Sequence, residues 1–176
     1  GLPAFPNDAK GLLLSAVEDP KPVMYFEHKA LYRSIEEEIP DDYFTVPIGV
    51  AKLLREGGDV SIISYGLGVH WALATLKDHP EISTDLIDLR SLLPIDWEAI
   101  RASVHKTGKA IILHEDTLLG GLGAEIAAWL SEHCFKMLDA PVMRCASLDT
   151  PVQYDSPLYP HSHSTARVAE RWLRLR

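Results

Sequence analysis

The chain has 176 residues, the length of one generous domain or of one domain with a piece of another. Hydrophobic residues make up 47% and charged residues 24%, as in an ordinary soluble globular protein. Seventeen lysines and arginines against twenty-five acidic residues give a net charge of −8. That charge argues against nucleic acid as a partner, because phosphate contacts need surplus cations, and it leaves a cationic protein partner open.

The sequence shows neither a membrane span nor a signal peptide. No apolar run approaches the roughly 18–20 residues that a span requires, and the first ten residues lack a basic stretch followed by an apolar one. Cys134 and Cys145 fall in segments predicted as helix and buried strand, and no other cysteine is present. We therefore expect two buried, reduced thiols and a reducing, cytosol-like compartment.

From residue 59 onward, strand and helix patterns alternate. Strands are predicted at residues 59–64, 84–89, 109–114 and 142–146. A helix over 69–76, ended by His79-Pro80, follows the first strand, and a helix capped by Asp96 and ended by Thr107-Gly108 follows the second. A helix that begins at Gly120-Gly121 follows the third strand, and a last helix capped by Ser164 follows the fourth. This alternation predicts an α/β fold, with a parallel sheet covered by helices on both faces.

The first 58 residues have a different pattern. Asn7-Asp8 are predicted to cap a short helix that Asp19-Pro20 ends, and residues 23–26 are predicted as a strand. Residues 34–42 carry five carboxylates in nine positions, a run that repels itself and is typical of a solvated linker. Residues 1–30 therefore resemble the end of another domain whose beginning is missing.

Two glycine-rich turns are candidate sites. Gly66-Leu67-Gly68 lies between a strand and a helix, with Asp88 twenty-two residues further on, which approaches the dinucleotide-binding motif. Trp71 occupies the place of the third glycine, so a tight strand-to-helix turn is the simpler interpretation. The second turn, Gly120-Gly121-Leu122-Gly123, follows His114-Glu115-Asp116 at the end of a parallel strand, where α/β sheets place their chemistry.

Neither turn has a complete set of catalytic groups beside it. His114 and its acidic neighbours lack a nucleophile, and no Gly-x-Ser-x-Gly elbow is present, which favours a structural turn there too. His161 and His163 lack a third ligand for a metal and are predicted to lie where the last helix begins. The residues alone thus indicate an α/β domain without a complete active site.

The sequence nevertheless resembles a known family in three stretches. Ala140-Pro141-Val142 and residues 148–151 continue the resemblance. The three stretches are residues 8–33; residues 60–66 with the Asp-Leu-Arg and Pro-Ile-Asp motifs of 88–96; and residues 114–126 with Gly-Gly-Leu-Gly-Ala-Glu-Ile. In this order and spacing they resemble the second half of the beta subunit of 2-oxoacid dehydrogenase decarboxylase components. The branched-chain type is the most similar, and the pyruvate type is next. The motifs are specific together and weak singly.

The resemblance implies a domain organisation. Residues 1–30 would end a thiamine-diphosphate pyrimidine-binding domain, residues 31–47 would form an acidic linker, and residues 48–176 would form a transketolase C-terminal-like domain. That domain is a three-layer α/β/α fold of about five mostly parallel strands in the order 1-3-2-4-5. Its first strand, expected within residues 50–56, is antiparallel.

The resemblance also implies a function for the parent protein, the oxidative decarboxylation of a 2-oxoacid with acyl transfer to lipoamide. Thiamine diphosphate and magnesium would serve the full enzyme. The family's cofactor-activating glutamate and catalytic histidine lie upstream of the stretch matching Gly1, so this portion is expected to bind no cofactor and to be inactive alone. We expect a truncated piece of a beta subunit, or of a fused alpha-beta chain, that serves assembly and docking.

Several residues acquire expected roles by resemblance. Ala16, Asp19 and Lys21 would supply part of a potassium site, largely through backbone oxygens. The expected partners are an alpha subunit or alpha part, a second beta subunit and the lipoyl acyltransferase core, with no nucleic acid and no membrane. The acyltransferase's basic subunit-binding domain would contact Asp149 and the terminal carboxylate on Arg176. Asp149 could instead merely satisfy backbone amides of the turn it starts.

Other interpretations remain open. The chain could be the last domain of a transketolase or of a deoxyxylulose-phosphate-synthase-like enzyme, although residues 26–33 argue against this, or it could be a stand-alone binding module. His28 stands where the family commonly has proline, and the tail after Asp155 differs from well-known members. Both differences leave the 2-oxoacid substrate open. The compartment would be the bacterial cytoplasm, or the mitochondrial matrix in a eukaryote.

Overall fold

A computed structural model describes residues 1–149, 170–171 and 174–175 of the chain. Its centre is a five-stranded sheet in the order β1-β3-β2-β4-β5. The strands are β1 Lys52–Arg55, β2 Val60–Ser64, β3 Thr84–Asp88, β4 Ala110–Thr117 and β5 Met143–Ser147. β1 runs antiparallel to β3, and the other neighbouring strands are parallel. The predicted strand order and the antiparallel first strand are confirmed.

Helices cover both faces of the sheet, as predicted. The α-helices are α1 Pro6–Glu18, α2 Leu67–Asp78, α3 Trp97–Thr107 and α4 Leu122–His133. α2 packs on one apolar core, which contains Ile62, Leu86 and Leu113 together with Leu175. α3 and α4 pack on the other core, with Ile63, Ile87 and Ile112. Because both faces are buried, strands β2 and β3 are buried along their whole length.

The helix boundaries of the sheet domain follow local sequence signals. The Asp96 carboxylate accepts a hydrogen bond from the Ala99 backbone N–H at 3.0 Å, which confirms Asp96 as the N-cap of α3. Gly108 ends the same helix with a left-handed φ of 67°, a conformation that glycine adopts without steric cost. α2 ends at Asp78, directly before His79-Pro80.

The predicted cap of α1 is wrong. The helix begins at Pro6 after Phe5, no side chain caps it, and proline suits its first turn because the missing N–H would have no helical partner there. Asp8 lies inside the first turn and is 1% exposed, because its carboxylate binds cations of the sheet domain. A tertiary contact thus replaces the local cap.

The strand predicted at residues 23–26 is also wrong. This extended segment pairs only with Gly1: the Gly1 ammonium donates to the Met24 carbonyl at 2.8 Å, and the Phe26 N–H donates to the Gly1 carbonyl at 2.9 Å. Met24 and Phe26 are 70% and 51% exposed. β-forming side chains are present, but no neighbouring strand within the described residues extends the pairing into a ladder.

The acidic run of residues 34–42 lies against helix α1. The Lys10 ammonium donates to the backbone carbonyls of Pro40 and Asp42, and the Glu37 carboxylate accepts from the Asn7 N–H at 2.9 Å. Val46 then pairs with the Gly11 carbonyl at 3.0 Å. The acidic side chains are exposed, as expected for a solvated run, while the backbone is held by the helix.

The two cysteines are free and buried, as predicted. Cys145 belongs to the core under α2, and Cys134 belongs to the core under α3 and α4. The sheet therefore separates them, and they cannot form a disulfide without unfolding. Burial raises the pKa of the Cys134 thiol, which further lowers its reactivity.

The second glycine turn makes room for a histidine under the start of α4. The buried His114 ring accepts a hydrogen bond at Nε2 from the Gly123 N–H at 3.2 Å. A Cβ atom on Gly123 would lie 2.3 Å from Nε2, and one on Gly121 would lie 2.7 Å from Cε1 of the same ring. The N-cap residue Gly121 has no side chain that could accept a hydrogen bond from the first N–H groups of α4. The His114 ring accepts one of these bonds instead.

We expect Gly123→Ala to reduce the free energy of unfolding by about 1–3 kcal/mol, because the new methyl group displaces the His114 ring and its hydrogen bond. Urea unfolding measures the change. Gly58→Ala is the matched control, since a Cβ there meets nothing within 4 Å. Equal stability of the two variants would show that the ring does not constrain this turn.

We expect both thiols to resist a water-soluble disulfide reagent in the native protein and to react stoichiometrically in denaturant, because both are buried. The melting temperature should be the same with and without reductant. Rapid modification of either cysteine under native conditions would contradict the burial described here.

Candidate functional site

Residues 1–48, here called the N-terminal segment, meet the sheet at the carboxyl ends of its parallel strands. Two partly buried clusters of polar side chains lie at this meeting point. The junction cluster consists of Asp8, Lys52, Asp88 and Arg90, and the histidine cluster consists of His28, Tyr65, His114 and Glu115. The carboxyl edge of a parallel sheet is where α/β proteins usually bind ligands, so we consider both clusters as candidate sites.

Asp8 forms the centre of the junction cluster. One carboxylate oxygen accepts from the Arg90 guanidinium at 3.0 Å, and the other accepts from the Lys52 ammonium at 3.2 Å. The Asp8 and Arg90 side chains are 2% and 10% exposed, so this ion pair is largely withdrawn from water. Lys52 is partly exposed and lies 5.7 Å from the centre of the Phe5 ring.

Arg90 connects three parts of the chain. Besides Asp8 on α1, its guanidinium donates to the Val50 carbonyl just before β1, at 2.8 and 3.1 Å. Its own carbonyl accepts the Leu2 N–H at 2.8 Å. Arg90 has a φ of 54°, a left-handed conformation unusual for a residue with a side chain, which the surrounding contacts hold in place.

Asp88 is buried next to this ion pair. Oδ1 accepts the Arg90 N–H at 3.1 Å, while Oδ2 and the nearby Ser91 hydroxyl have no hydrogen-bond partner among the described residues. Burial, aided by the Asp8 carboxylate and opposed by the bond from the Arg90 N–H, raises the pKa of Asp88 to about 7. Asp88 is therefore partly protonated at neutral pH.

The first glycine turn is a structural turn. Gly66 has a φ of 53°, and a Cβ on it would lie 2.4 Å from a methyl carbon of Leu2, so the N-terminal segment covers this turn. Asp88 is completely buried and cannot reach a ribose. The arrangement thus leaves no crevice for a dinucleotide, in agreement with the simpler interpretation of the sequence.

Two members of the histidine cluster, His114 and Tyr65, are held in their neutral forms by burial. Burial lowers the pKa of His114, and the ring stacks against Tyr65 with centroids 6.1 Å apart and planes 9° from parallel. Burial, helped by Asp116 and Glu115, raises the pKa of Tyr65 to about 12. His28 bonds Glu115 at 2.9 Å. His114 is 1% exposed and cannot contact a substrate, which supports the interpretation as a structural turn.

The predicted potassium positions lie at the end of α1. Ala16 is in the last turn, and the Asp19 carboxylate accepts the Lys21 N–H at 2.9 Å. The Asp19 N–H in turn donates to the Ser15 carbonyl at 3.1 Å. The three residues are therefore close together, and their role as ion ligands stays a prediction.

Asp149 is exposed at the end of the described sheet region. Its Oδ1 accepts the Leu119 N–H at 2.8 Å, and Arg144 donates to the Leu118 carbonyl at 2.7 Å, so the loop after β4 is held to β5. Asp149 does satisfy a backbone amide, but this amide belongs to a loop thirty residues away. Arg176, Ser164, His161 and His163 lie outside the described residues.

Local sequence patterns do not indicate the junction cluster. They predict Asp8 as part of a helix cap, place Arg90 only within a motif, and do not distinguish Lys52. No local pattern signals an ion pair between residues separated by 82 positions. Within residues 1–149 and the short described stretches near the end, no three His, Cys, Asp or Glu side chains are placed to hold a metal ion, and no helix has the length and hydropathy of a membrane span.

The chain matches one protein family and is similar in sequence to individual proteins of known function. The family described as "Transketolase, C-terminal domain" matches residues 49–167. The 2-oxoisovalerate dehydrogenase subunit beta of Bacillus subtilis (strain 168) is 46% identical over 158 residues, which are 89% of this chain and 48% of that protein. The mitochondrial 2-oxoisovalerate dehydrogenase subunit beta 2 of Arabidopsis thaliana is 45% identical over 152 residues, 85% of this chain and 42% of that protein.

The pyruvate type is nearly as similar. The pyruvate dehydrogenase E1 component subunit beta of Bacillus subtilis (strain 168) is 42% identical over 151 residues, 85% of this chain and 46% of that protein. This chain thus spans about half the length of these curated relatives.

A solved structure is similar in fold as well. The protein described as "Split gene transketolase, inactive beta4 tetramer" superimposes with a TM-score of 0.63 and 26% identity, over 84% of this chain and 51% of that one. The chain belongs to the transketolase C-terminal domain family, and its sequence is similar to the beta subunits of 2-oxoacid dehydrogenases.

Proposed function

We propose that the chain is the C-terminal part of the beta subunit, or of the beta part of a fused chain, of a thiamine-diphosphate-dependent 2-oxoacid dehydrogenase. The observation that carries this proposal is the length of the match at 46% identity. A match over 158 residues cannot fit within residues 49–176 and must include part of the N-terminal segment. The transketolase structure also covers 84% of this chain, but at 26% identity, so the 46% identity over this length favours the 2-oxoacid dehydrogenase.

The parent protein would oxidatively decarboxylate a 2-oxoacid and pass the acyl group to lipoamide, with thiamine diphosphate as the reacting cofactor. The branched-chain type is favoured, since both 2-oxoisovalerate dehydrogenase relatives are slightly more similar than the pyruvate dehydrogenase relative. In this proposal residues 1–30 end the pyrimidine-binding domain, residues 31–47 are the linker and residues 48–176 are the C-terminal domain.

The surface of the N-terminal segment supports the proposal that residues 1–30 belong to a domain other than the C-terminal one. Leu13 and Val17 lie one turn apart on α1, and both side chains are exposed, as are Met24 and Phe26. A cavity of about 520 Å³ opens beside them, lined by Phe5, Leu13, Leu31 and other residues of the segment. Exposed apolar groups concentrated on one segment favour packing against further polypeptide.

The residues of this portion do not fit the cofactor. Activation of thiamine diphosphate needs a carboxylate at the aminopyrimidine ring, and the buried carboxylates described here are all engaged or enclosed. Asp8 binds Lys52 and Arg90, Asp85 binds Lys106 and Ser103, and Asp88 lies covered beside the Asp8–Arg90 pair. We therefore assign assembly and docking to this portion, and we assign the chemistry and the magnesium ion to the rest of the parent enzyme.

The proposed partners are an alpha subunit or alpha part, a second beta subunit and the lipoyl acyltransferase core. Asp149, with the terminal carboxylate of Arg176, would contact the basic subunit-binding domain of that core. The exposed Asp149 carboxylate uses one oxygen for Leu119, which leaves Oδ2 without a bond from the described residues. Ala16, Asp19 and Lys21 would contribute backbone oxygens to a potassium ion completed by an upstream loop of the parent.

We expect isothermal titration calorimetry to detect no binding of thiamine diphosphate with magnesium to this chain, because a cofactor held between two domains loses nearly all affinity when one is mostly missing. The longer parent chain, assembled with its alpha partner, is the positive control. Micromolar affinity of the 176-residue chain would contradict the assignment of the cofactor site to the missing part.

We expect Asp149→Asn to weaken binding of the basic acyltransferase domain by about 5- to 150-fold, with less effect at high salt. Asparagine keeps an oxygen for the Leu119 N–H, so the melting temperature should not change. Glu132→Ala removes the same charge from the exposed face of α4 and is the matched control. If Asp149→Asn binds the acyltransferase domain normally and Asp149→Ala melts at a lower temperature, Asp149 has no role in docking. Its function would then be only the hydrogen bond to the Leu119 N–H.

A further inference from the structure

We propose that the junction cluster is a conformational latch, in which the Asp8–Arg90 ion pair holds the N-terminal segment on the sheet domain and can open while that domain stays folded. This inference concerns residues of this chain alone and does not depend on the proposed function. It assigns a role to four charged residues outside the proposed docking surface.

The latch follows first from where the apolar cores lie. The two cores contain residues from 51 onward, and no residue of the N-terminal segment belongs to either of them. Ala4, Leu12 and Val46 are buried but belong to neither core, and Val46 lies beside Gly11 of the same segment. Opening the junction therefore leaves both cores of the sheet domain intact.

Polar and apolar contacts join the two parts, and the apolar ones include Phe5 against the His70 ring, with centroids 5.0 Å apart, and Leu2 over the Gly66 turn. Besides the junction cluster, the Leu2 N–H donates to the Arg90 carbonyl at 2.8 Å, His70 bonds the Ala4 carbonyl at 2.7 Å, and His28 bonds Glu115 at 2.9 Å. Asp8 and Arg90 are the most buried charges among them. Loss of Asp8 leaves the Arg90 guanidinium buried without its ion-pair partner, so breaking this pair destabilises the closed junction more than breaking an exposed contact does.

Asp88 makes the latch sensitive to pH. The charged groups that face it are Asp8 from α1, Lys52 from β1 and Arg90 after β3. Because burial raises its pKa to about 7, the closed state binds a proton that a hydrated aspartate would release near pH 4. The closed state is therefore favoured at low pH, loses stability as the pH rises from about 4 to about 7, and changes little above that range.

Hydrogen exchange with mass spectrometry of this 176-residue chain tests the latch. Asp8→Asn should raise the exchange of amides in residues 1–48 about tenfold or more and leave those in β2, β4 and α4 unchanged. Lys52→Gln should give a smaller increase at the same sites, because Lys52 is partly exposed. It also serves as the second variant if Asp8→Asn does not fold.

Asp85→Asn is the matched control. Asp85 is a buried carboxylate bonded to Lys106 at 2.7 Å and to Ser103 at 2.8 Å, both within the sheet domain. Its substitution should accelerate exchange in β3 and α3 and show no preference for residues 1–48. Equal acceleration of both parts by Asp8→Asn, no acceleration at all, or selective release of residues 1–48 by Asp85→Asn would each overturn the latch.

The pH dependence provides a separate readout. After correction for intrinsic rates, opening of residues 1–48 in the unsubstituted chain should increase between pH 5 and pH 7, and Asp88→Asn should remove most of that slope. His114 acts in the opposite direction, because burial lowers its pKa and protonation destabilises the fold below about pH 6.5. Its contribution is common to both proteins and cancels in their comparison. An unchanged slope in Asp88→Asn would refute the role of Asp88.

Discussion

The burial of one ion pair at the edge of the sheet determines how the N-terminal segment lies on this domain. Arg90 leaves β3 in a left-handed conformation, and its guanidinium then bonds both Asp8 on α1 and the Val50 carbonyl before β1. Two charges that are each costly to bury become stable only together. The position of α1 and the start of the antiparallel edge strand β1 therefore depend on the same side chain.

The carboxyl edge of the sheet is used here for packing. Leu2 covers the first glycine turn, and the His114 ring fills the space that Gly121 and Gly123 leave at the start of α4. Small residues at such turns often let a ligand approach the backbone, but in this chain protein side chains occupy the same space. This arrangement is compatible with the assembly role proposed above.

Burial also determines the protonation states at this edge. The same desolvation keeps the His114 ring neutral, keeps the Tyr65 phenol protonated and raises the pKa of Asp88 to about 7. The neutral His114 ring can accept the Gly123 N–H, so its shift supports the fold. Asp88 has no such complement for Oδ2 among the described residues, and its raised pKa makes it titrate near neutrality.

The sequence by itself determined the alternating elements, the Asp96 cap, the Gly108 helix end and the burial of both cysteines, because each depends on local periodicity or on near neighbours. The strand order was accessible only through family resemblance, since periodicity does not order strands. Only the tertiary structure decided that Asp8 binds Arg90 across 82 positions and that Asp149 bonds Leu119 across 30. A polar side chain binds the partner that folding brings to it, and no local pattern encodes that partner.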